Sequence, residues 1–159
     1  MYLDLKNNTD YTKLSEPAQI IKNGGLVIFP TETVYGIGAN GLDKNAIKKI
    51  YDVKQRPLNK PISLLVSNIN MIETVAKDIS DLEYAIIKKF FPGPLTIILK
   101  KKEIVPDLLT AGSDTIGIRM PANDIALNLI NYACVPIATP SANISGKPSG
   151  TNLNDIIKD

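Results

Sequence analysis

Histidine and tryptophan are absent from this sequence of 159 residues, and cysteine occurs only once, as Cys134. The lack of histidine excludes Ser-His-Asp and Cys-His catalysis within the chain, together with the usual histidine-containing metal sites. A single cysteine excludes an intramolecular disulfide, and its valine neighbour predicts a buried hydrophobic residue rather than a nucleophile. With three phenylalanines, six tyrosines and no tryptophan, the chain offers few rings for stacking the bases of single-stranded RNA.

A large excess of charge of one sign is also missing, because 18 basic and 16 acidic residues leave a net charge of only +2. Hydrophobic residues make up 44% of the chain and charged residues 21%, which is typical of a soluble globular protein. The length predicts a single domain over residues 1–159. The polar amino terminus is unlike a signal peptide, and no apolar run approaches the roughly 18 residues of a membrane span. These features predict a cytoplasmic protein that does not associate with membranes.

Short apolar runs alternate with amphipathic segments along the chain. Runs rich in β-branched residues and bounded by glycine, proline or polar residues predict five strands, at residues 25–30, 62–66, 95–99, 116–119 and 135–139. The amphipathic segments between them follow residues that favour the start of a helix, namely Ser15, Asp43, Ser80 and Asp124. Strands separated by helices predict an α/β domain of three layers, with helices on both faces of the sheet.

One segment is strongly basic. Residues 44–60 contain a single acid, Asp52, and six cations, which are Lys44, Lys48, Lys49, Lys54, Arg56 and Lys60. Because Arg56 precedes Pro57, the chain is predicted to leave a helix here and become extended. Side chains two residues apart then point the same way, so Lys54 and Arg56 are predicted to project together toward a polyphosphate. The alternative is an exposed helix end, where cations interact favourably with the helix dipole.

Two other polar segments follow predicted strands. Ser141 and Asn143, in TPSAN, could bind the polar edges or phosphates of a nucleotide, or they could bond their own backbone in a polar turn. Thr31, Thr33 and Tyr35, in PTETVYGIG, offer hydroxyl groups beside an acid, and the glycines permit close approach of a ligand. The same pattern also fits a strand, a turn and a second strand.

Arg119 lies at the end of the otherwise apolar segment TIGIRMP. A cation in this position needs an anion, which is either a structural carboxylate or the carboxylate of a ligand. The segment SGKPSG lacks the spacing of a P-loop, so a Walker-type site is not expected.

The chain resembles the YrdC-like domain of the threonylcarbamoyl-AMP synthase family in five segments, which occur in the family's order. The segments are GGLVIFPTETVYGIGANG, KQRPLNKPISLLV, FPGPLTIIL, TIGIRMP and ATPSANISGKPSGT, within about residues 13–151. The resemblance implies the YrdC-like fold, which is a three-layer domain with a twisted mixed β-sheet and is classed as α+β in stricter schemes.

The resemblance also implies an activity, that of a nucleotidyltransferase. Such an enzyme makes threonylcarbamoyl-adenylate and pyrophosphate from ATP, L-threonine and bicarbonate, and the product is used to modify tRNA. Mg²⁺ is expected to accompany the triphosphate, with no metal ligated directly by side chains. The implied partners are other proteins of tRNA threonylcarbamoyl transfer, with tRNA itself bound indirectly or weakly.

The family's signature pairs a K-x-R with an S-x-N. By resemblance, Lys54 and Arg56 are the catalytic residues, acting through position and charge. The residues implied for ATP and the adenylate are Lys54, Arg56, Pro57, Lys60, Thr139, Ser141 and Asn143. Those implied for threonine and the carbamate are Thr31, Thr33, Tyr35, Thr115 and Arg119, with Arg119 facing the carboxylate of the amino acid.

The sequence departs from the family's pattern in two places. Asn123 stands where the family commonly has histidine, and an amide keeps a hydrogen-bonding role there but does not titrate. Family members usually continue beyond the end of this chain, so the domain is expected to lack their C-terminal strands.

The main alternative function is a non-catalytic module of the same fold that binds nucleotide, double-stranded RNA or tRNA. A related carbamoyl-transfer enzyme and a catalytically silent family member are further alternatives.

Overall fold

The computed structural model describes residues 2–5, 10–149 and 156. The strands in these ranges are β1 (Val27–Phe29), β2 (Gly36–Asn40), β3 (Leu64–Leu65), β4 (Ala76–Lys77), β5 (Ile97–Lys101), β6 (Thr115–Arg119) and β7 (Ile137–Ala138). The α-helices are α1 (Ser15–Lys22), α2 (Lys44–Lys54), α3 (Ile69–Val75), α4 (Asp81–Phe90), α5 (Asp107–Thr110) and α6 (Asp124–Ala133). No helix in the described ranges is long and apolar enough to cross a membrane.

The strands form one mixed sheet. Their spatial order is β1-β2-β7-β3-β6-β5-β4. The pair β3 and β6 is parallel, and the other paired strands are antiparallel. This arrangement confirms the mixed sheet that the resemblance implied.

Helices cover both faces of the sheet. On one face, α2, α3, α4 and α5 pack in a cluster that includes Ile47 and Leu64. On the other face, α1 and α6 pack with Ile21, Leu129 and Leu65. Each fully buried side chain of this size stabilises the fold by about 1.5–3 kcal/mol. The predicted three-layer α/β domain is therefore confirmed.

The face that carries α1 and α6 is only partly covered. Leu65 of β3 lies under these helices, and its neighbour on β6 is Arg119. Two residues earlier on β6, Gly117 pairs with Ile98 of β5, whose side chain is 60% exposed. Thr115 faces the same way as Gly117, because alternate residues of a strand share a face. The sheet therefore offers an open surface over β5 and β6, beside the edge of the helical layer.

All five predicted strands are present, although their bounds differ by a few residues. Strand β2 was predicted only as one alternative for the segment PTETVYGIG, and β4 was not predicted. The sequence of β2 is GIGAN, whose glycines have low strand propensity. Their function here is close packing, since a Cβ at Gly38 would lie 2.6 Å from the ring of Phe29 and 2.7 Å from Ile137 Cγ2.

Two of the predicted helix starts are confirmed. The Asp43 carboxylate accepts a hydrogen bond from the Asn45 N–H (2.8 Å) at the start of α2. Ser80 and Glu83 form a capping box at α4, in which the Glu83 carboxylate accepts the Ser80 N–H at 2.7 Å. The predicted cap at Ser15 is wrong, because a 3-10 helix, Tyr11–Leu14, runs directly into α1.

The first residue of α6 and the residue that follows the helix differ from the predictions. Asp124 is the first helical residue, and the cap is Asn123, whose side chain accepts a hydrogen bond from the Ala126 N–H at 3.1 Å. This supports a structural role for Asn123. At the other end, Cys134 has a left-handed backbone (φ 54°) and is exposed. The predicted burial of Cys134 is wrong, because the residue lies just beyond Ala133, the last buried residue of the helix.

Candidate functional site

The segment that carries the cations leaves α2 through a left-handed residue rather than an extended one. Gln55 has φ 50°, and the N–H groups of Gln55 and Arg56 donate to the carbonyls of Asp52 (3.2 Å) and Tyr51 (2.9 Å). Lys54 is consequently the last residue of the helix. The prediction that Lys54 and Arg56 project together from an extended run is therefore wrong, and the two side chains have different partners.

Lys54 is buried and joins α2 to the loop after β7. Its side chain is only 4% exposed, and its ammonium group donates hydrogen bonds to the main-chain oxygens of Ser141 and Asn143. Its own carbonyl accepts the Ser145 N–H at 2.9 Å. Among the described residues no carboxylate forms an ion pair with it. Burial, assisted by the nearby charge of Arg56, lowers the pKa of Lys54 to about 8. The lysine of K-x-R therefore directly contacts the S-x-N segment.

Arg56 is held by its own loop. Its Nε donates to the Lys60 carbonyl (3.1 Å), and its Nη2 donates to the Pro61 carbonyl (2.8 Å). The hydroxyl of Tyr51 donates to the same Lys60 carbonyl at 2.9 Å. The side chains of Pro57 and Lys60 are exposed on this loop. The guanidinium is thus fixed in orientation before any ligand arrives.

The S-x-N residues differ in their contacts. The Asn143 amide donates to the carbonyls of Ile144 (3.0 Å) and Lys147 (2.7 Å), so it shapes the loop as the polar-turn alternative predicts. The Thr139 hydroxyl donates to the Ile137 carbonyl (3.1 Å). The Ser141 hydroxyl makes no hydrogen bond to any described residue, which leaves it available to a ligand.

The loop after β7 also lies against the loop between β1 and β2. The Ala142 N–H donates to the Tyr35 carbonyl at 2.8 Å, and Gly36 forms an isolated bridge with Ser141. A Cβ at Gly36 would lie 2.4 Å from Thr139 Cγ2, so glycine is required for this close approach. Tyr35 is thereby placed next to the S-x-N segment.

Arg119 is bound to the loop between β1 and β2. Its Nη2 lies 2.7 Å from Glu32 Oε1 and donates to the Thr33 hydroxyl at 3.2 Å. The Thr31 hydroxyl lies 3.0 Å from that of Thr33 and donates to the Val34 carbonyl. The sequence left a structural carboxylate and a ligand's carboxylate as alternative partners of Arg119. The structure contains the first of these, which is Glu32. Burial raises the pKa of Glu32, but hydrogen bonds from Arg119 and the main chain outweigh it and hold the pKa below its usual range.

Thr115 lies in a separate small groove of about 130 Å³ on the open surface. The groove is lined by Pro61, Ser63, Ile98, Thr110, Ser113 and Gly117 in addition to Thr115. The Thr115 hydroxyl is 2.9 Å from that of Ser113. Thr115 and Arg119 are four residues apart on β6, about 13 Å along the strand. They therefore have different neighbours, although both face the same surface.

A larger surface cleft, of about 360 Å³, lies at the far edge of the sheet. It is lined by Lys77, Asp78, Lys100, Lys101, Lys102, Glu103 and Asp114. None of the residues predicted for the site borders this cleft.

Two residues that contact the predicted site residues were not assigned from the sequence, namely Glu32 and Tyr51. Glu32 stands between two threonines in the sequence, and Tyr51 shares the apolar face of α2, so neither pattern indicated its polar partner.

Comparison with known proteins supports the resemblance. The Sua5/YciO/YrdC family model, described as telomere recombination, matches residues 19–159. A threonylcarbamoyl-AMP synthase from Pyrococcus abyssi is 45% identical over 99% of this chain and 46% of its own length. The corresponding Bacillus subtilis synthase is 39% identical over 96% of this chain and 44% of its own length.

A crystal structure of P. abyssi Sua5 complexed with L-threonine superposes with a TM-score of 0.92 and 47% identity, over 94% of this chain and 44% of that one. The chain spans about half the length of the curated relatives it matches. The matches to the family model and to both relatives run over nearly all of this chain. The chain belongs to the Sua5/YciO/YrdC family.

Proposed function

We propose that this chain forms threonylcarbamoyl-adenylate and pyrophosphate from ATP, L-threonine and bicarbonate, for the modification of tRNA. The observation that carries the proposal is the contact of Lys54 with the main chain of Ser141 and Asn143, which unites both halves of the signature. The names of the relatives from P. abyssi and B. subtilis, and the L-threonine complex of P. abyssi Sua5, support it. Other proteins of the transfer pathway and tRNA are proposed partners on the same basis.

Arg56 is the proposed ligand of the ATP phosphates. Its loop uses two of the five guanidinium N–H groups, and the other three remain for phosphate oxygens. The Ser141 hydroxyl and the exposed Lys60 side chain add donors around the same loops. Lys54 contributes a positive charge from beneath the loop and fixes its carbonyls. Mg²⁺ would enter with the triphosphate, whose oxygens are the ligands it prefers.

The proposed chemistry requires no histidine. Bicarbonate takes up a proton and loses water to give carbon dioxide. The neutral amine of threonine adds this carbon dioxide through a new N–C bond and releases one proton, which leaves an anionic carbamate. A carbamate oxygen then forms a bond to the α-phosphorus, and the bond between the α-phosphorus and the bridging oxygen breaks, which releases pyrophosphate. Because the carbamate is already an anion, the step depends on in-line position and on neutralisation of phosphate charge.

The amino acid is proposed to lie against Thr33 and Tyr35, with Arg119 facing its carboxylate. A contact of the amino acid with Thr115 stays a prediction from the resemblance, since Thr115 lies about 13 Å from Arg119 along β6. Arg119 uses Nη2 for Glu32 and Thr33, and the N–H groups of Nη1 are the ones proposed for the amino acid. This places the threonine end of the site at the loop between β1 and β2. The nucleotide end is then at the loops that carry Arg56 and Ser141.

Pyrophosphate release by this chain tests the proposal. The protein is incubated with ATP, Mg²⁺, L-threonine and bicarbonate, and each substrate is omitted in turn. We expect release that requires both threonine and bicarbonate. Binding of ATP without any release would instead favour the non-catalytic nucleotide-binding alternative.

A further inference from the structure

We infer that Glu32 is a positioning residue that holds Arg119 in place for the carboxylate of the amino acid substrate. The inference rests on the proposed function. The ion pair joins the loop between β1 and β2 to the end of β6, with Glu32 Oε1 2.7 Å from Arg119 Nη2. Arg119 stands where the covered part of the sheet meets its open part, so the direction of its side chain decides whether it faces that surface.

The Glu32 carboxylate is built into the structure. Its side chain is only 20% exposed. Its charged partner is Arg119, and the main-chain N–H groups of Glu32 itself and of Ala122 help to lower the pKa of the carboxyl group. A mostly buried carboxylate paired with a guanidinium is fixed in one position, because loss of a charge-assisted hydrogen bond costs more than loss of one between neutral groups.

Arg119 depends on that carboxylate. Its side chain is 16% exposed, and its Nε is buried without a hydrogen-bond partner among the described residues. Of its guanidinium nitrogens, Nη2 carries the contacts to both Glu32 and Thr33. Without Glu32 the Thr33 hydroxyl alone would hold the group, and a mostly buried cation would lose its counter-ion. The guanidinium would then leave its present direction.

The opposite reading is that Glu32 competes with the substrate for Arg119. The burial of Glu32 argues against it, since its side chain is only 20% exposed and displacement from Arg119 would leave a mostly buried carboxylate without its counter-ion. The two readings predict changes of opposite sign. Removal of the charge at Glu32 weakens binding of the amino acid if Glu32 positions Arg119, and strengthens it if Glu32 competes.

The test compares the wild-type protein with Glu32→Gln by calorimetric titration of L-threonine and, separately, of ATP. We expect the affinity for L-threonine to fall by about tenfold or more, as for the loss of one charge-assisted hydrogen bond, with the ATP affinity unchanged. Asp107→Asn is the matched control, because it removes an ion pair with Lys101 away from Arg119. It should leave both affinities unchanged. Unchanged or tighter binding of L-threonine to Glu32→Gln would overturn the inference.

A second measurement separates this inference from the proposed function. The chain has only two arginines, Arg56 and Arg119, so their Nε–H groups give two NMR signals that an Arg56→Lys variant assigns. In Glu32→Gln without ligand, the Arg119 signal should shift and exchange faster with water, while the Arg56 signal stays unchanged. An unchanged Arg119 signal would overturn the inference, whether or not the protein binds L-threonine or ATP. A changed signal in a protein that binds no L-threonine would uphold the positioning of Arg119 and count against the proposed substrate.

Discussion

The ammonium group of Lys54 donates a hydrogen bond to the main-chain oxygen of Ser141, which lies 87 residues further along the chain. This contact, with the second one to Asn143, fixes the loop that follows β7 on the end of α2. The lysine of K-x-R therefore builds the S-x-N loop rather than standing beside it. The nitrogen that shapes this loop is also the one proposed to neutralise phosphate charge.

Lys54→Met should separate activity from stability. Methionine keeps most of the buried volume but provides neither the charge nor the donors. We expect pyrophosphate release to fall by about 10²–10³-fold, as for the loss of one group that stabilises a transition state. We expect the folded state to persist, because the buried charge itself opposes folding. Activity and thermal unfolding are measured on the same sample. A near-normal rate would remove Lys54 from the catalytic site.

The lowered pKa of Lys54 predicts opposite effects of pH on stability and on ligand binding. The pKa is about 8 in the folded protein and 10.5 for an ordinary lysine. Between these values the unfolded state binds more protons, so this group makes the protein more stable as pH rises, by up to about 3 kcal/mol. Over the same range Lys54 loses its charge, and ATP binding should weaken.

Urea unfolding of the wild type and Lys54→Met at pH 7 and pH 9.5 measures the first effect. The free energy of unfolding of the wild type should increase relative to the variant at the higher pH. Titration of ATP at the same two pH values measures the second effect. A difference between the two proteins that is independent of pH would contradict the lowered pKa.

Arg56 should not tolerate lysine. Arginine contacts two carbonyls of its own loop and still has N–H groups for a phosphate, whereas lysine is a single flexible point charge. We expect Arg56→Ala to lower pyrophosphate release by about 10²–10³-fold, and Arg56→Lys to recover only a small part of the loss. Tyr51→Phe, which removes the other donor to the Lys60 carbonyl, should have a milder effect on the rate. Full activity of Arg56→Lys would show that only charge matters at this position.

Asn123→Ala should lower stability without affecting the site. The side chain caps α6, and loss of such a cap costs about 0.5–2 kcal/mol. We expect a lower unfolding temperature, with the affinities for ATP and L-threonine unchanged. Asn123→Asp keeps a capping acceptor and serves as the control. Loss of ligand binding in Asn123→Ala with an intact fold would assign Asn123 to the site.

Much of the fold follows from local patterns in the sequence. The apolar runs of five strands and the caps Asp43 and Ser80 depend on neighbouring residues, so short-range rules identify them. The glycine-rich β2 was only one of two alternatives for its segment, because strand propensity does not favour Gly38, whose close contacts are with Phe29 in the neighbouring strand and with Ile137, which is distant in the sequence. Tertiary packing decides this strand.

The candidate site, like the fold, was predictable from the sequence only in part. The resemblance implied that K-x-R and S-x-N share a site, and Lys54 does contact the S-x-N segment. The different directions of Lys54 and Arg56 were not predictable, since they depend on the left-handed conformation of Gln55, which stands between them and is not the glycine that usually occupies such a position. The ion pair of Arg119 with Glu32 joins segments far apart in the chain, and no local pattern specifies which of several acids is the partner.

The most direct test of the central claim is identification of the product by mass spectrometry, with carbon-13-labelled bicarbonate, ATP and L-threonine as substrates. The proposed function predicts an adenylate that contains one threonine and one labelled carbon, formed in equal amount with pyrophosphate and lost in Arg56→Ala. A wild-type protein that binds ATP and L-threonine but forms no labelled adenylate would contradict it.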